Sequence, residues 1–282
     1  MKIGIIGLGL MGGSIAKTLA GNEIIAFDKN KEDLEKALEE GVITNYTLEI
    51  NNEFEDVDIL FICTPVKYIY EYIKEAYKYV KKDCIITDIG STKNDIVTKV
   101  EKDFPNMNFI GAHPMVGSEK IGYNNSLKDL FENSYYLITK TSNTKETNME
   151  KFYEIIKKLK AFPVIMNSKE HDYVVSIISH IPHIIASGLV NLVQNSDDKD
   201  KMKMLVGGGF KDITRIASSS PQMWQNICVQ NKQEILKGLQ NFKDILNSFE
   251  QSLVNNDEEK MLEYFKNAKQ YRDNILEVKN DI

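Results

Sequence analysis

The first part of the chain alternates short apolar runs with amphipathic stretches. Runs at Lys2–Ile6, Ile24–Phe27, Ile59–Cys63, Cys84–Thr87, Phe109–Gly111, Tyr135–Thr139 and Val164–Met166 have strand length and an apolar, largely β-branched or aromatic make-up. Lys31–Glu40, Ile69–Val80 and Asn148–Lys160 repeat apolar positions at helical spacing. Strands alternating with helices predict a mainly parallel sheet covered on both faces. After about Ser168 the strand signal stops. Residues 170–194 read as helix, and the polar run Asn195–Asp200 breaks the pattern. Ser220 and Pro221 form an N-cap and first-turn pair. Beyond them Trp224, Ile227, Ile235, Leu239, Phe242, Leu246, Phe249 and Leu253 form one stripe that predicts a buried helical face. A last helix is expected from about Asp257 to Leu276. The fold class is therefore α/β in residues 1–168 and all-helical in residues 169–282. Long apolar helices at a chain's end often pack across a two-fold axis, so a homodimer through the helical part is expected.

Two apolar segments need a separate reading. Residues 3–16 lie uncharged between lysines like a signal-peptide core, but contain five glycines and no cleavage site follows. Residues 174–194 could span a bilayer by length. They carry His180, Pro182, His183, Asn191 and serines, which are costly in lipid, so they read as a buried helix bearing functional groups. No membrane association is expected.

The 282-residue chain carries 35 Lys+Arg against 41 Asp+Glu, a net charge of −6, which argues against a dedicated nucleic-acid binder. Three widely separated cysteines give neither a disulfide framework nor a zinc motif, and point to a reducing cytoplasm. Only two of the 35 cations are arginines, Arg215 and Arg272. Where lysine is the default, an arginine suggests that its planar fork matters. Arg215 suits a substrate carboxylate, with a salt bridge to Asp212 as the alternative. Arg272, on a highly charged helix, reads as surface.

The first strand runs into Gly7-Leu8-Gly9-Leu10-Met11-Gly12 and then a helical stretch. In this context G-x-G-x-x-G is a dinucleotide fingerprint. Gly7 permits the turn, Gly9 admits the pyrophosphate, Gly12 lets helix and strand pack, and the helix N-terminus faces the phosphates. The second strand ends in Asp28, placed to accept the ribose hydroxyls and to repel a 2′-phosphate, which favours NAD over NADP. Lys29 and Lys31 could soften that rejection. A glycine-rich corner with a capping aspartate is the plain alternative. The loops Cys63–Val66, with Thr64 and Pro65, and Asp88–Lys93, with Ser91, also follow strands. Each is either a helix cap or a ligand contact.

His113 ends a further strand in Gly111-Ala112-His113-Pro114, where it would face the crevice. Oxidation of an alcohol needs a base, and an imidazole has a suitable pKa. A structural histidine bonded to a carbonyl is the alternative. His180 and His183 share a helix face around Pro182, which is expected to kink the helix. They read as a substrate-contacting pair, with a buried structural pair as the alternative. No carboxylate at matching spacing completes a metal site, so no metal is expected. His171 falls nearly on the opposite face and reads as a cap. Trp224 reads as core beneath the site.

Taken together, the chain resembles the prephenate dehydrogenase family over essentially its whole length. The resemblance rests on Gly7–Ser14, Asp28, Cys63–Val66, Asp88–Lys93, GAHPMVGSEKIG at Gly111–Gly122, SHIPH at Ser179–His183, GGGFKDITRIA at Gly207–Ala217 and SPQMW at Ser220–Trp224. It implies a Rossmann-type NAD-binding domain followed by a helical substrate-binding and dimerisation domain. It implies NAD-dependent oxidative decarboxylation of prephenate to 4-hydroxyphenylpyruvate, for tyrosine synthesis. By motif, His113 would take the ring hydroxyl's proton and Ser91 would hold that hydroxyl and the nicotinamide. Arg215 would bind a carboxylate, His183 and His180 would line the pocket, and Glu119 with Asp212 would gate it. The cofactor contacts implied are Gly7, Gly9, Leu10, Met11, Gly12, Asp28, Thr64, Pro65 and Ser91. Neither a mutase-like segment before Met1 nor a regulatory domain after the last helix is expected. Arogenate as substrate, a β-hydroxyacid or imine reductase, and a nicotinamide-binding module without turnover are the alternatives.

Overall fold

The computed structural model describes residues 1–117, 120–197 and 199–278. They separate into two compact units, Met1–Lys232 and Gln233–Ile282. Among the described residues of the first unit, eight strands form one sheet in the order β3-β2-β1-β4-β5-β6-β7-β8. The strands are β1 (Lys2–Ile6), β2 (Glu23–Phe27), β3 (Asn45–Thr47), β4 (Ile59–Ile62), β5 (Ile85–Asp88), β6 (Phe109–Pro114), β7 (Tyr135–Lys140) and β8 (Phe162–Ile165). All neighbours are parallel except β6 and β7, which pair antiparallel with His113 opposite Leu137. The chain leaves β1 for β2 on one side and later returns to β4 on the other. That reversal opens a crevice at the strands' C-terminal ends, where ligands bind in such sheets.

The central strands are buried on both faces, which is why they read as continuous apolar runs. Two clusters of side chains cover the sheet, one centred on Ile5, Ile15, Phe61 and Phe152, the other on Leu60, Ile69, Ile86 and Phe109. Helices α1 (Leu10–Thr18), α2 (Lys31–Glu39), α3 (Val66–Ala76), α4 (Asn94–Asp103) and α5 (Glu146–Lys158) supply the layers. Two departures from the pattern are local. β3 has three residues, of which only Thr47 is buried, so its apolar signal is too thin to read. β8 begins at Phe162 rather than Val164, and tolerates Pro163 because it is an edge strand.

Helix α6 (Ser168–Val175) opens the helical part, capped by Asn167, whose side chain accepts from the Glu170 N–H at 2.9 Å. A π-helical turn, Ser176–His180, joins it to α7 (Ile181–Ser196), with Pro182 in the first turn. Proline lacks the N–H that would continue the α ladder, and the turn before it is π-helical rather than α-helical. The short α8 (Lys201–Leu205) and α9 (Gly208–Thr214) follow, then a 3-10 turn at Arg215–Ser218. Next comes α10 (Pro221–Gln230), capped by Ser220 as its sequence predicts. In the second unit, α11 (Lys232–Val254), which begins at the boundary, and α12 (Glu258–Val278) meet through Phe249 against Tyr264 and Phe265.

Two burial expectations are corrected. The Ser168–Ser196 stretch, though long and apolar enough to cross a membrane, has only 28% of its apolar window buried, and Ile178 and Leu192 are exposed. It is not a core helix of this chain. The Trp224–Leu253 stripe is likewise broken at Asn231 and exposes Leu246 and Leu253. Both helices carry more apolar surface than the rest of the described chain covers.

Candidate active site

The fingerprint turn is built as the glycines require. Gly7 has φ +95°, and a Cβ there would meet the Cys63 carbonyl oxygen at 2.8 Å. A Cβ on Gly12 would lie 1.9 Å from the Gly7 oxygen, so α1 can approach β1 only as glycine. Gly9, by contrast, faces open space, which leaves room for a ligand against the backbone. The Asp28 carboxylate accepts the Leu8 N–H at 2.6 Å and the Asn30 N–H at 2.8 Å, which ties it to the rim of the turn. A first lobe of the crevice, 260 Å³, runs past Gly7, Gly9, Asp28, Lys29, Thr64 and Pro65. Tyr68 and Tyr72 flank it.

A second lobe of 380 Å³ shares Gly9, Cys63, Thr64 and Pro65 with the first. It adds Leu10, Met11, Ser91 and His113 on the sheet side and Met223, Asn226 and Ile227 from α10. The two lobes form one trough from Asp28 to His113 along the strand ends. The buried Thr64 hydroxyl has no protein partner, although buried polar groups normally find one. The open Gly9 face, this orphan hydroxyl and the Asp28 carboxylate together fit an NAD molecule.

Behind His113 lies a buried polar cluster. Its Nδ1 is 2.9 Å from Nε2 of His171, whose own Nδ1 is 2.8 Å from an Asp172 carboxylate oxygen. Asp172 also accepts the Lys93 N–H at 2.7 Å and the Asn94 N–H at 3.0 Å, which caps α4 from a distant part of the chain. The Lys93 ammonium pairs with Asp88, and Asp88 accepts the Gly90 N–H at 2.9 Å and the Ala112 N–H at 3.2 Å. Both members of the ion pair are fully buried. Burial pulls the Lys93 pKa down, against the pull of Asp88. Burial is also the main force holding His113 well below the usual imidazole range, and His171, Lys93 and His180 add to it. His113 is therefore a neutral base at physiological pH.

His171 is not a helix cap. Asn167 takes that role, and His171 is fully buried. The reason is the π turn, which changes the angle over the nine residues to His180. His180 is buried, lies 3.2 Å from Asn231 Nδ2 through Nδ1, and meets Trp224 edge-on. Burial lowers its pKa to about 4. His183 stacks on Trp224 at 3.7 Å between ring centres and donates from Nδ1 to the Ser179 carbonyl at 3.1 Å. Burial lowers its pKa too, and the nearby Arg215 charge adds to that. Trp224 is thus the shared wall of the two histidines rather than plain core. A separate 500 Å³ cavity is lined by His183, Ser187, Asn191, Trp224 and Cys228.

Arg215 and Asp212 are exposed, line neither cavity, and form no ion pair with each other among the described residues. Glu119 lies outside the described residues. The structure thus gathers Gly7, Gly9, Leu10, Met11, Asp28, Thr64, Pro65, Ser91 and His113 along one trough. Gly12 supports it from beneath. His180 and His183 stand beyond α10, with Arg215 near His183. Sequence reasoning missed Asp172, Asn231 and the part played by His171. Asp172 had no signal beyond a place next to a histidine, because its partners are 78 and 79 residues away.

Comparison with known proteins agrees along the whole length. The family model for the prephenate dehydrogenase nucleotide-binding domain matches residues 11–165. The chain belongs to the prephenate dehydrogenase family. The model for that family's dimerization domain matches residues 167–267. Prephenate dehydrogenase of Bacillus subtilis is 37% identical over 278 residues, 96% of this chain and 75% of that one. The structure of Aquifex aeolicus prephenate dehydrogenase in complex with hydroxyphenyl propionate and NAD+ superposes with a TM-score of 0.91 at 32% identity, covering 98% of each chain. Synechocystis arogenate dehydrogenase gives 0.86 at 26% identity, over 97% of this chain and 99% of that one.

Proposed function

We infer that this chain is an NAD-dependent dehydrogenase that oxidatively decarboxylates prephenate to 4-hydroxyphenylpyruvate, a step of tyrosine synthesis. The observation that carries the reading is a neutral His113 at the end of a trough that begins at the Asp28 carboxylate. Family membership supplies the substrate, and relatives named for arogenate or cyclohexadienyl substrates make arogenate the second reading. A hydroxyacid or imine reductase, or a silent nicotinamide binder, does not account for this family and this base together.

NAD, when bound, supplies the hydride acceptor. The protein's own part is to orient and to move one proton. His113 accepts the proton of the ring hydroxyl through its side chain as the hydride leaves the carbon bearing that hydroxyl, and Ser91 helps hold the hydroxyl. The ring carbonyl so formed draws electrons from the breaking bond to the ring carboxylate. Carbon dioxide leaves, the ring becomes aromatic, and the proton returns from His113 to the phenol oxygen. No proton is gained or lost overall. His183, His180 and Arg215 recognise the rest of the substrate, Arg215 through a carboxylate, with Asp212 and Glu119 at the entrance.

The working boundary of the nucleotide half is placed at Ser168, and residues 169–282 form the substrate-binding and dimerising half. A homodimer is supported by the match to the family's dimerization domain and by the uncovered apolar faces of α7 and α11. Three free cysteines support a cytoplasmic location. The test is NADH formation with prephenate or arogenate, each with NAD or NADP. Prephenate with NAD should turn over fastest. A faster rate with arogenate would replace the substrate, and no NADH in any combination would defeat the enzyme reading.

A further inference from the structure

We propose that His171 and Asp172 form a positioning dyad that holds His113 in the single tautomer leaving its Nε2 lone pair for the substrate. The proposal rests on His113 being the base.

The argument follows the protons. Each Asp172 oxygen already accepts a backbone N–H at the first turn of α4, from Lys93 at 2.7 Å and Asn94 at 3.0 Å. Both oxygens are thereby fixed as hydrogen-bond acceptors. His171 Nδ1, 2.8 Å away, must therefore be the donor. A neutral imidazole protonated on Nδ1 carries its lone pair on Nε2. That Nε2 lies 2.9 Å from His113 Nδ1, which in turn must donate. The remaining lone pair of His113 is then on Nε2. Reversing any one proton sets two donors or two acceptors against each other.

The surroundings keep both rings neutral. Lys93 and His180 face His113, and Lys93, Asp88 and Asp172 face His171. Burial dominates in each case and works against a charge on either ring. The dyad is also fixed from behind. The Asp172 carbonyl accepts from Asn231 Nδ2 at 2.8 Å, and that nitrogen also approaches His180. A carboxylate that only capped α4 would need no histidine beside it. His171 is fully buried with both ring nitrogens engaged, one toward Asp172 and one toward His113.

The test compares His171→Leu and His171→Gln in the full chain. Leucine removes the acceptor, and kcat should fall roughly 10²- to 10⁴-fold, the scale of a base left in the wrong tautomer. KM for prephenate and NAD should stay within about threefold, since neither is proposed to touch His171. Glutamine can offer its Oε1 to His113 and should recover at least about tenfold of the loss. Nitrogen-15 spectra should show His113 protonated on Nδ1 in the wild type and a tautomer mixture in His171→Leu. A leucine variant with near-normal kcat, or a glutamine variant no better than leucine, overturns the dyad. If His113→Asn is inactive in the same series, the base assignment survives that result. If His113→Asn is active, the base assignment falls first. Should His171→Leu fail to fold, the wild-type spectrum decides: a His113 protonated on Nε2 refutes the proposal.

Discussion

The trough along the sheet and the wall beyond α10 are assembled by different means. From Asp28 to His113 the contributing residues stand at the ends of consecutive strands, each a few residues from the turn that aims it. His180, His183 and Arg215 instead depend on a π turn, a tryptophan from α10 and a short 3-10 turn, with Arg215 still exposed. A cofactor site of the first kind is specified locally. A wall of the second kind depends on tertiary packing, so its proposed role in holding the substrate rests on contacts between distant parts of the chain.

The sharpest way to break this contrast is at the trough's far end. His113→Asn retains a hydrogen-bonding side chain but no base, and should lose about 10²–10⁴ in kcat with NAD affinity nearly unchanged. The wild-type acid limb should lie below the usual imidazole pKa, because burial depresses that of His113. A kcat–pH profile of both proteins decides it. A near-normal kcat with the same acid limb in His113→Asn would falsify the role.

Next in size is the wall. Arg215→Ala should lower kcat/KM by about 30- to 1000-fold, or 2–4 kcal/mol, chiefly through KM. Arg215→Lys should recover part, because an ammonium lacks the fork. Unchanged steady-state constants in a folded alanine variant would remove Arg215 from the site.

Acid tests the packing behind both regions. His180 titrates near 4 when folded and near 6.5 when unfolded. Between those values the unfolded chain binds the proton and the folded chain does not. Stability is therefore complete above about pH 6.5 and falls as the pH drops toward 4, by on the order of 3 kcal/mol for this group. Urea unfolding at pH 7 and pH 5 measures the loss, and His180→Gln should reduce it by this group's share, with His113, His171 and His183 supplying the remainder. An equal slope in that variant would mean that other groups dominate.

The smallest effect is expected at the trough's near end. Asp28→Ser should weaken NAD by about 1.5–3 kcal/mol, the cost of one charged acceptor, while NADP gains relative to it. Titrations of both nucleotides check this. A wild type that prefers NADP would contradict the assignment.

Legibility in the sequence followed the same divide. The fingerprint, Asp28 and the strand-end loops were readable because a strand, a turn and a helix N-terminus constrain one another within a few residues. The alternation of elements exposed the sheet for the same reason, except at β3, where three residues offer one buried side chain. His171 is hard to place from sequence because the stretch between it and His180 is not α-helical throughout, so helical periodicity does not carry across it. Asp172 was invisible because its role is defined by backbone donors far along the chain. The apolar helices read as core because hydrophobicity reports that a face will be covered, and not which chain covers it.

The π turn at Ser176–His180 also bears on how this sequence can drift. A π-helical turn holds one residue more than the α-helical turn it replaces. Deleting one residue there would leave a continuous α-helix, so the chain would tolerate the loss as a matter of folding. Because the π turn and the α turn that replaces it each span about one revolution, side chains on either side of the deletion would keep their faces, and the change would fall on the turn itself. His183 would keep the face of Trp224, while His180, which lies within the turn, would be reset against Asn231. Length polymorphism at this turn is therefore a route by which a descendant could alter the setting of one buried histidine while leaving its nucleotide trough and the His183–Trp224 stack in place.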